Sequence, residues 1–254
     1  MFFTGSNDSK VKLWDTNTFE AVQEINLDYR INQLDTDNDG TYIVVATEDY
    51  YPRIIDLKNV LSAGITNLSA NKMDSEILCC KINPLKTHIV ATGDSQGNVK
   101  LWDLRMRNRL LLELSHEESR RAHLKNCNDL CWNSDGTELA SIATDGRCYI
   151  WTPFTTTIER KQMCSLDLMR NKIKKRVSQR LLRFDDYLLC NTDHGEIQIY
   201  ETIEGKLYSK IDHPVSQQTN KSTNYFTGMT MQQNIANSRG LRLYLGTSSI
   251  SNTE

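Results

Sequence analysis

Short strands separated by polar turns predict an all-β chain built from repeated four-stranded units, and three observations carry that prediction. An anchor recurs at Trp14, Ile55, Trp102, Trp151 and Tyr200, at intervals of 41, 47, 49 and 49 residues. It closes the segments KVKLWD, YPRIID, NVKLWD, RCYIWT and EIQIYE, with Asp, Glu or Thr after it. Six residues before each anchor, in a turn-forming stretch, lie Asp8, Asp49, Gln96, Asp145 and His194. Each turn follows a run that ends in small or polar residues: FFTGS, IVVAT, IVATG, ASIAT and LLCNT.

Taken in order, each unit reads as strand, turn, strand, turn, with the anchor on the third strand. An earlier first strand is visible in INQLDTDNDG, ILCCKINPLK and NDLCWNSDG. A single four-stranded unit cannot bury both of its faces, whereas stacking units face to face buries the apolar rows between them. The period and the Trp-Asp signature make this a WD40-type β-propeller. The blade units run over about 1–24, 30–68, 75–114, 122–162, 175–211 and 225–254 of a single propeller domain, the first and last being partial and the other four nearly whole. Met1 falls in the second strand of its unit, and Phe226 to Gly246 reads as the first two strands of another. A chain incomplete at both ends is therefore expected, either closing at five blades or remaining an open arc.

Composition limits the function classes. With 30 Lys and Arg against 32 Asp and Glu, the net charge of −2 gives no general attraction to nucleic acid or to an anionic membrane. Hydrophobic residues make up 39%, enough for a core, yet no apolar run reaches the roughly 18 residues of a membrane span. The start, MFFTGSND, lacks the basic and apolar regions of a signal peptide. Seven cysteines without paired spacing, two of them adjacent at Cys79 and Cys80, suit neither zinc nor a disulfide framework, and point to a reducing compartment.

The residues with chemical capability read mostly as bracing. His123, Ser141, Asp145 and Trp151 form the best candidate for a hydrogen-bonded blade network, with Asp8 and Trp14 in the corresponding places of the first unit. No phosphate loop, H-E-x-x-H or G-x-S-x-G segment occurs, and the five histidines are scattered. Asp185-Asp186 sits in a turn. A binding scaffold is expected, without enzymatic activity, cofactor or metal. One segment breaks the pattern: RNKIKKRVSQRLLR, 170–183, is a candidate nuclear-import or phosphate-contacting patch through Lys172, Lys174, Lys175 and Arg176, or else a solvated loop and outer strand.

Three stretches, MFFTGSNDSKVKLWDTNTFEAV, HIVATGDSQGNVKLWDLR and AHLKNCNDLCWNSDGTELASIATDGRCYIW, together resemble the Cockayne syndrome A family, including its fungal relatives, over about residues 1–211. That resemblance implies a nuclear substrate receptor of a cullin–RING ubiquitin ligase acting in transcription-coupled nucleotide excision repair. Its partners would be the damaged-DNA-binding adaptor, stalled polymerase and a remodelling ATPase, with direct nucleic-acid binding not expected. Adaptor contact in such receptors is associated with a WD-x-R box, matched here by Ile89-Val90, Ala91-Thr92-Gly93 and Trp102-Asp103-Leu104-Arg105. The other anchors continue as WDTN, IDLK, WTPF and YETI, so Arg105 is the one arginine at that place. The family's seven-bladed ring follows a helical segment that enters the adaptor; that segment and the first blade and a half are expected to lie outside this sequence. Two other readings stand beside this one: a WD-repeat scaffold of another nuclear complex, in chromatin or RNA processing, and a direct nucleic-acid binder through 170–183.

Overall fold

The computed structural model describes residues 1–58, 64–69, 74–106, 109–116, 120–165, 180–192, 196–212, 222–233 and 241–251. They form 21 strands, and neighbouring strands of each sheet run antiparallel wherever the register is defined. Two compact units divide the chain, Met1–Leu130 and Cys131–Glu254.

The first unit begins with a three-stranded sheet of β1 (Phe2–Gly5), β2 (Lys10–Trp14) and β3 (Ala21–Asn26). A four-stranded sheet follows: β4 (Ile31–Thr36), β5 (Tyr42–Thr47), β6 (Arg53–Asp56) and β7 (Ile65–Asn67). The third sheet contains β8 (Ile77–Ile82), β9 (Ile89–Asp94), β10 (Val99–Asp103) and β11 (Leu110–Leu114). The boundary between the units falls inside β12 (Cys127–Trp132), which heads a sheet completed by β13 (Leu139–Ala143), β14 (Arg147–Thr152) and β15 (Glu159–Ser165). The second unit continues with β16 (Leu181–Phe184), β17 (Tyr187–Asn191), β18 (Glu196–Glu201) and β19 (Leu207–Asp212) as one sheet. It ends in a hairpin of β20 (Ser222–Gln233) and β21 (Leu241–Ser251).

The continuous apolar runs in the sequence have a direct cause. In β5, Val44 and Ala46 pack with Cys80, Ile82, Val90 and Trp102 of the third sheet. Their alternate neighbours Ile43 and Val45 pack with Val11, Leu27 and Ile31 on the other side. A strand buried on both faces reads as an unbroken apolar run rather than an alternating one. The second unit repeats the arrangement, with Ala140, Ile142, Cys148 and Ile150 against Leu181, Leu188, Cys190 and Tyr200. Leu189 and Ile197 pack with Met229, Leu243 and Leu245 of the terminal hairpin.

Each anchor tryptophan is tied to a hydroxyl ten residues before it on the neighbouring strand. Trp14 Nε1 donates to Thr4 Oγ1 at 2.8 Å, Trp102 Nε1 to Thr92 Oγ1 at 2.8 Å and Trp151 Nε1 to Ser141 Oγ at 2.9 Å. Trp102 and Trp151 are fully buried. Trp14 is only half-buried and stacks on Phe2, with ring centroids 6.0 Å apart.

Candidate functional site

The turn between β10 and β11 holds the residues singled out by the WD-x-R pattern. Asp103 ends β10, where its backbone N–H donates to Arg109 O at 2.8 Å, and the next residue, Leu104, donates to His88 O at 2.8 Å. The first bond closes the corner on itself, and the second ties it to the β8–β9 connection. The Asp103 carboxylate then folds back over its own turn. Oδ1 accepts from the Arg105 backbone N–H at 3.0 Å, and the guanidinium closes on it from outside, Nε to Oδ1 at 3.0 Å and Nη2 to Oδ2 at 2.7 Å.

The two side chains differ sharply in exposure: Asp103 keeps 7% of its side-chain surface open and Arg105 66%. Arg105 therefore covers the carboxylate with one edge and presents the rest of its planar cation to solvent. The guanidinium, helped by the backbone N–H and opposed by burial, holds the Asp103 carboxyl down at about 2. In return, the Asp103 carboxylate raises the Arg105 guanidinium above its ordinary value. Two-point contact leaves the Nη1 group free of Asp103 and fixes its direction, so a partner carboxylate or carbonyl meets a preoriented donor.

The corresponding corners carry Asn17 and Lys58 where this one carries Arg105. Asp15 accepts from the backbone of Asn17 at 2.6 Å and Thr18 at 3.3 Å, and Asp56 from the backbone of Lys58 at 2.9 Å. All three aspartates cap their turns, and Asp103 does so while held by both edges of an arginine.

The candidate bracing residues are placed as follows. Asp8 accepts from the Lys10 backbone at 3.1 Å, and Asp145 from the Arg147 backbone at 3.0 Å. His123 is buried in the first unit, where its backbone N–H donates to Gly97 O at 2.9 Å. In the second unit, Ser141 and Trp151 are directly bonded, as described above.

In the third sheet the turn is capped by Asp94, while the place six residues before the anchor holds Gln96. Asp94 Oδ1 accepts from the backbone of Gln96 at 2.9 Å and Asn98 at 2.9 Å, while Oδ2 accepts from Asn98 Nδ2 and Ser75 Oγ, each at 2.7 Å. The turn is as long as that of the first sheet, with Gly93 paired to Val99 as Gly5 is to Val11, so the capping acid here simply stands at the first position of the turn, where the first sheet has Ser6. An Asp opening a D-x-x-G-N stretch was the signal available for it.

A second feature had no sequence signal. Gln33 Nε2 donates to Asp129 Oδ1 at 2.9 Å, and Lys81 Nζ to Asp35 Oδ1 at 3.1 Å, joining β4, β8 and β12. Lys81 is raised above its ordinary value by Asp35 and Asp129 against the opposing effect of burial.

Lys172, Lys174, Lys175 and Arg176 lie outside the described residues. Arg183, which the sequence places in the same basic run, is not a surface cation: its side chain is 5% exposed and paired with Glu138. Asp185-Asp186 forms an exposed turn with Asp185 at φ 45°. Among the described residues no group of three or more His, Cys, Asp or Glu is placed to hold a metal ion, and no helix is long and apolar enough to cross a membrane.

Comparison with known proteins adds to this geometry. The family model described as WD domain, G-beta repeat matches residues 65–103 and 115–152, so the first match ends on Asp103 itself. The chain is a WD-repeat protein. It is 48% identical over 283 aligned positions to Radiation-sensitive protein 28 of Saccharomyces cerevisiae, covering 97% of this chain and 56% of that protein. It is 28% identical over 108 residues to WD repeat-containing protein ATCSA-1 of Arabidopsis thaliana, covering 41% of this chain and 23% of that protein. The WD-repeat chain thus spans about half the length of its yeast relative. These likenesses agree with the Cockayne syndrome A family that its motifs resemble. Among solved structures, the β-propeller domain of Cps50 (Swd1) from Myceliophteria thermophila superposes with a TM-score of 0.65 at 15% identity, over 84% of this chain and 69% of that one, which shows the propeller fold.

Proposed function

We propose that this WD-repeat protein is a non-catalytic interaction scaffold, the substrate-receptor subunit of a cullin–RING ubiquitin ligase acting in transcription-coupled nucleotide excision repair in the nucleus. The observation that carries the proposal is the Arg105 guanidinium, clamped on Asp103 and otherwise open to solvent at the WD-x-R corner. Support comes also from the 48% identity to a relative whose name ties it to radiation sensitivity. In this reading Arg105 meets the damaged-DNA-binding adaptor, Asp103 positions it, and other surfaces meet the stalled polymerase and a remodelling ATPase.

The test is a titration of the full-length protein against purified adaptor. Arg105→Ala is expected to weaken binding about tenfold or more, as truncating a desolvated charge-assisted contact does. Arg105→Lys keeps the charge and loses the planar fork, so it fails to restore full affinity. Equal affinity for all three proteins overturns the assignment of Arg105.

A further inference from the structure

We infer that Cys79 and Cys127 form a peroxide-reactive dithiol site that closes into a disulfide between strands β8 and β12. The cysteine spacing in the sequence gave no hint of it, since the two residues lie 48 positions apart. In the structure their sulfurs are 3.9 Å from each other, and both residues are fully buried. The Cys79 thiol also lies 3.5 Å from the Cys127 carbonyl oxygen, so it is directed at the residue it would join.

The space that brings them together belongs to Gly93. Gly93 pairs with Cys79 across β8 and β9, and a Cβ added there would stand 2.6 Å from each sulfur. The missing side chain is what lets two thiols meet with no atom between them. The bond to be formed is about 2.05 Å long, against 3.9 Å between the two sulfurs.

The neighbouring cysteine behaves differently. Side chains alternate along a strand, so Cys80 points away from this pocket. Its sulfur faces Gln33 O at 3.7 Å and Val44 O at 3.6 Å, and burial pushes its thiol well up. The pair is therefore specific, and two thiols with no third ligand do not make a metal site.

The chemistry balances with hydrogen peroxide as oxidant. One thiol gives up its proton and its sulfur attacks the O–O bond, forming a sulfenic acid, and the displaced hydroxide takes up the proton as water. The second thiol sulfur attacks the sulfenic sulfur, the S–S bond forms as the S–O bond breaks, and the hydroxyl leaves with the second proton as water. The two sulfurs together lose two electrons, and one peroxide becomes two waters. A small-molecule thiol reverses the reaction and is itself oxidised to a disulfide. A small neutral oxidant suits a site with no exposed surface, which a bulky disulfide reagent reaches only after the strands part.

The cross-link would enclose the chain from 79 to 127, which includes Trp102, Asp103 and Arg105. Oxidation would tie the sheet that carries the WD-x-R corner to the next strand and restrain its opening. The experiment treats the full chain with hydrogen peroxide, blocks remaining thiols with N-ethylmaleimide and maps peptides without reduction. The expected product is a peptide joining Cys79 to Cys127, lighter by two hydrogens, assigned by fragment ions and lost on addition of dithiothreitol. Its formation raises the urea midpoint of the parent and leaves that of Cys127→Ala unchanged. Circular dichroism of Cys127→Ala checks its fold, and the parent's peptide map stands by itself if that variant does not fold. Sulfinic acid at either position in place of the cross-link, or equal cross-linking of Cys80 with Cys127, overturns the inference.

Discussion

Arg105 grips both oxygens of Asp103, through Nε at 3.0 Å and Nη2 at 2.7 Å, and in doing so converts a turn-capping acid into a support for an exposed cation. The consequence for pH is definite in sign. The folded carboxyl sits at about 2, below its ordinary value of 3.8, so folding favours the ionised form. The stabilisation is complete above the unfolded value and disappears as pH falls from about 3.8 through about 2. In Arg105→Gln the Asp103 carboxyl is expected to titrate closer to its ordinary value, because the guanidinium that contributes most to lowering it is gone and the backbone N–H and His88 remain. Carbon-detected NMR of Asp103 measures both midpoints. Urea midpoints of the two proteins should differ at pH 5 and converge near pH 2, and an identical Asp103 midpoint in both would refute the clamp.

Trp102→Ala and Trp151→Ala are expected to destabilise the protein by about 3–5 kcal/mol each, since both indoles are fully buried between strands. Thr92→Val tests the hydrogen bond separately. It leaves the Trp102 Nε1 donor buried without its acceptor, at a cost of about 1–3 kcal/mol. Chemical denaturation gives all three values, and parent-like midpoints for the two alanine variants would show that these residues do not anchor their sheets.

Asp94→Ala is expected to lose about 2–3 kcal/mol, because Ser75, Gln96 and Asn98 all donate to its nearly buried carboxylate. Gln96→Ala, six residues before the anchor, should change stability by no more than about 0.5 kcal/mol. The reverse order of effects in a urea melt contradicts the assignment of the cap to Asp94.

Two glycines with positive φ make a paired test. Gly40 has φ 62° and open space where a Cβ would stand, so Gly40→Ala meets only the backbone penalty of about 1–2 kcal/mol. Gly97 has φ 86°, and a Cβ there would fall 2.4 Å from His123 O and 2.6 Å from Lys125 O. Gly97→Ala is therefore expected to cost at least about 1 kcal/mol more than Gly40→Ala, because rigid backbone must move. Thermal melts of the two variants compare them directly, and equal shifts would mean that the 123–125 segment yields freely.

What the sequence determined by itself is the local part of this protein. The all-β repeat, the anchor tryptophans, the aspartate-capped turns at Asp8 and Asp145 and the WD-x-R corner were all legible. Each rests on contacts within a hairpin, two residues apart for Asp8 with Lys10 and ten for Trp102 with Thr92. Such contacts follow from strand alternation and turn chemistry, which neighbouring residues specify. Even there, spacing does not say which residue caps: in a turn of equal length the acid of the third sheet stands at Asp94, two residues before the place of Asp8. The tertiary structure alone decided the rest. Gln33 reaches Asp129 across 96 residues, Cys79 meets Cys127 across 48, and Arg183 leaves the basic run to pair with Glu138 across 45. These pairs exist only once apolar faces choose which sheets stack. That choice is made by burial of area, which is not directional and leaves no spacing to read.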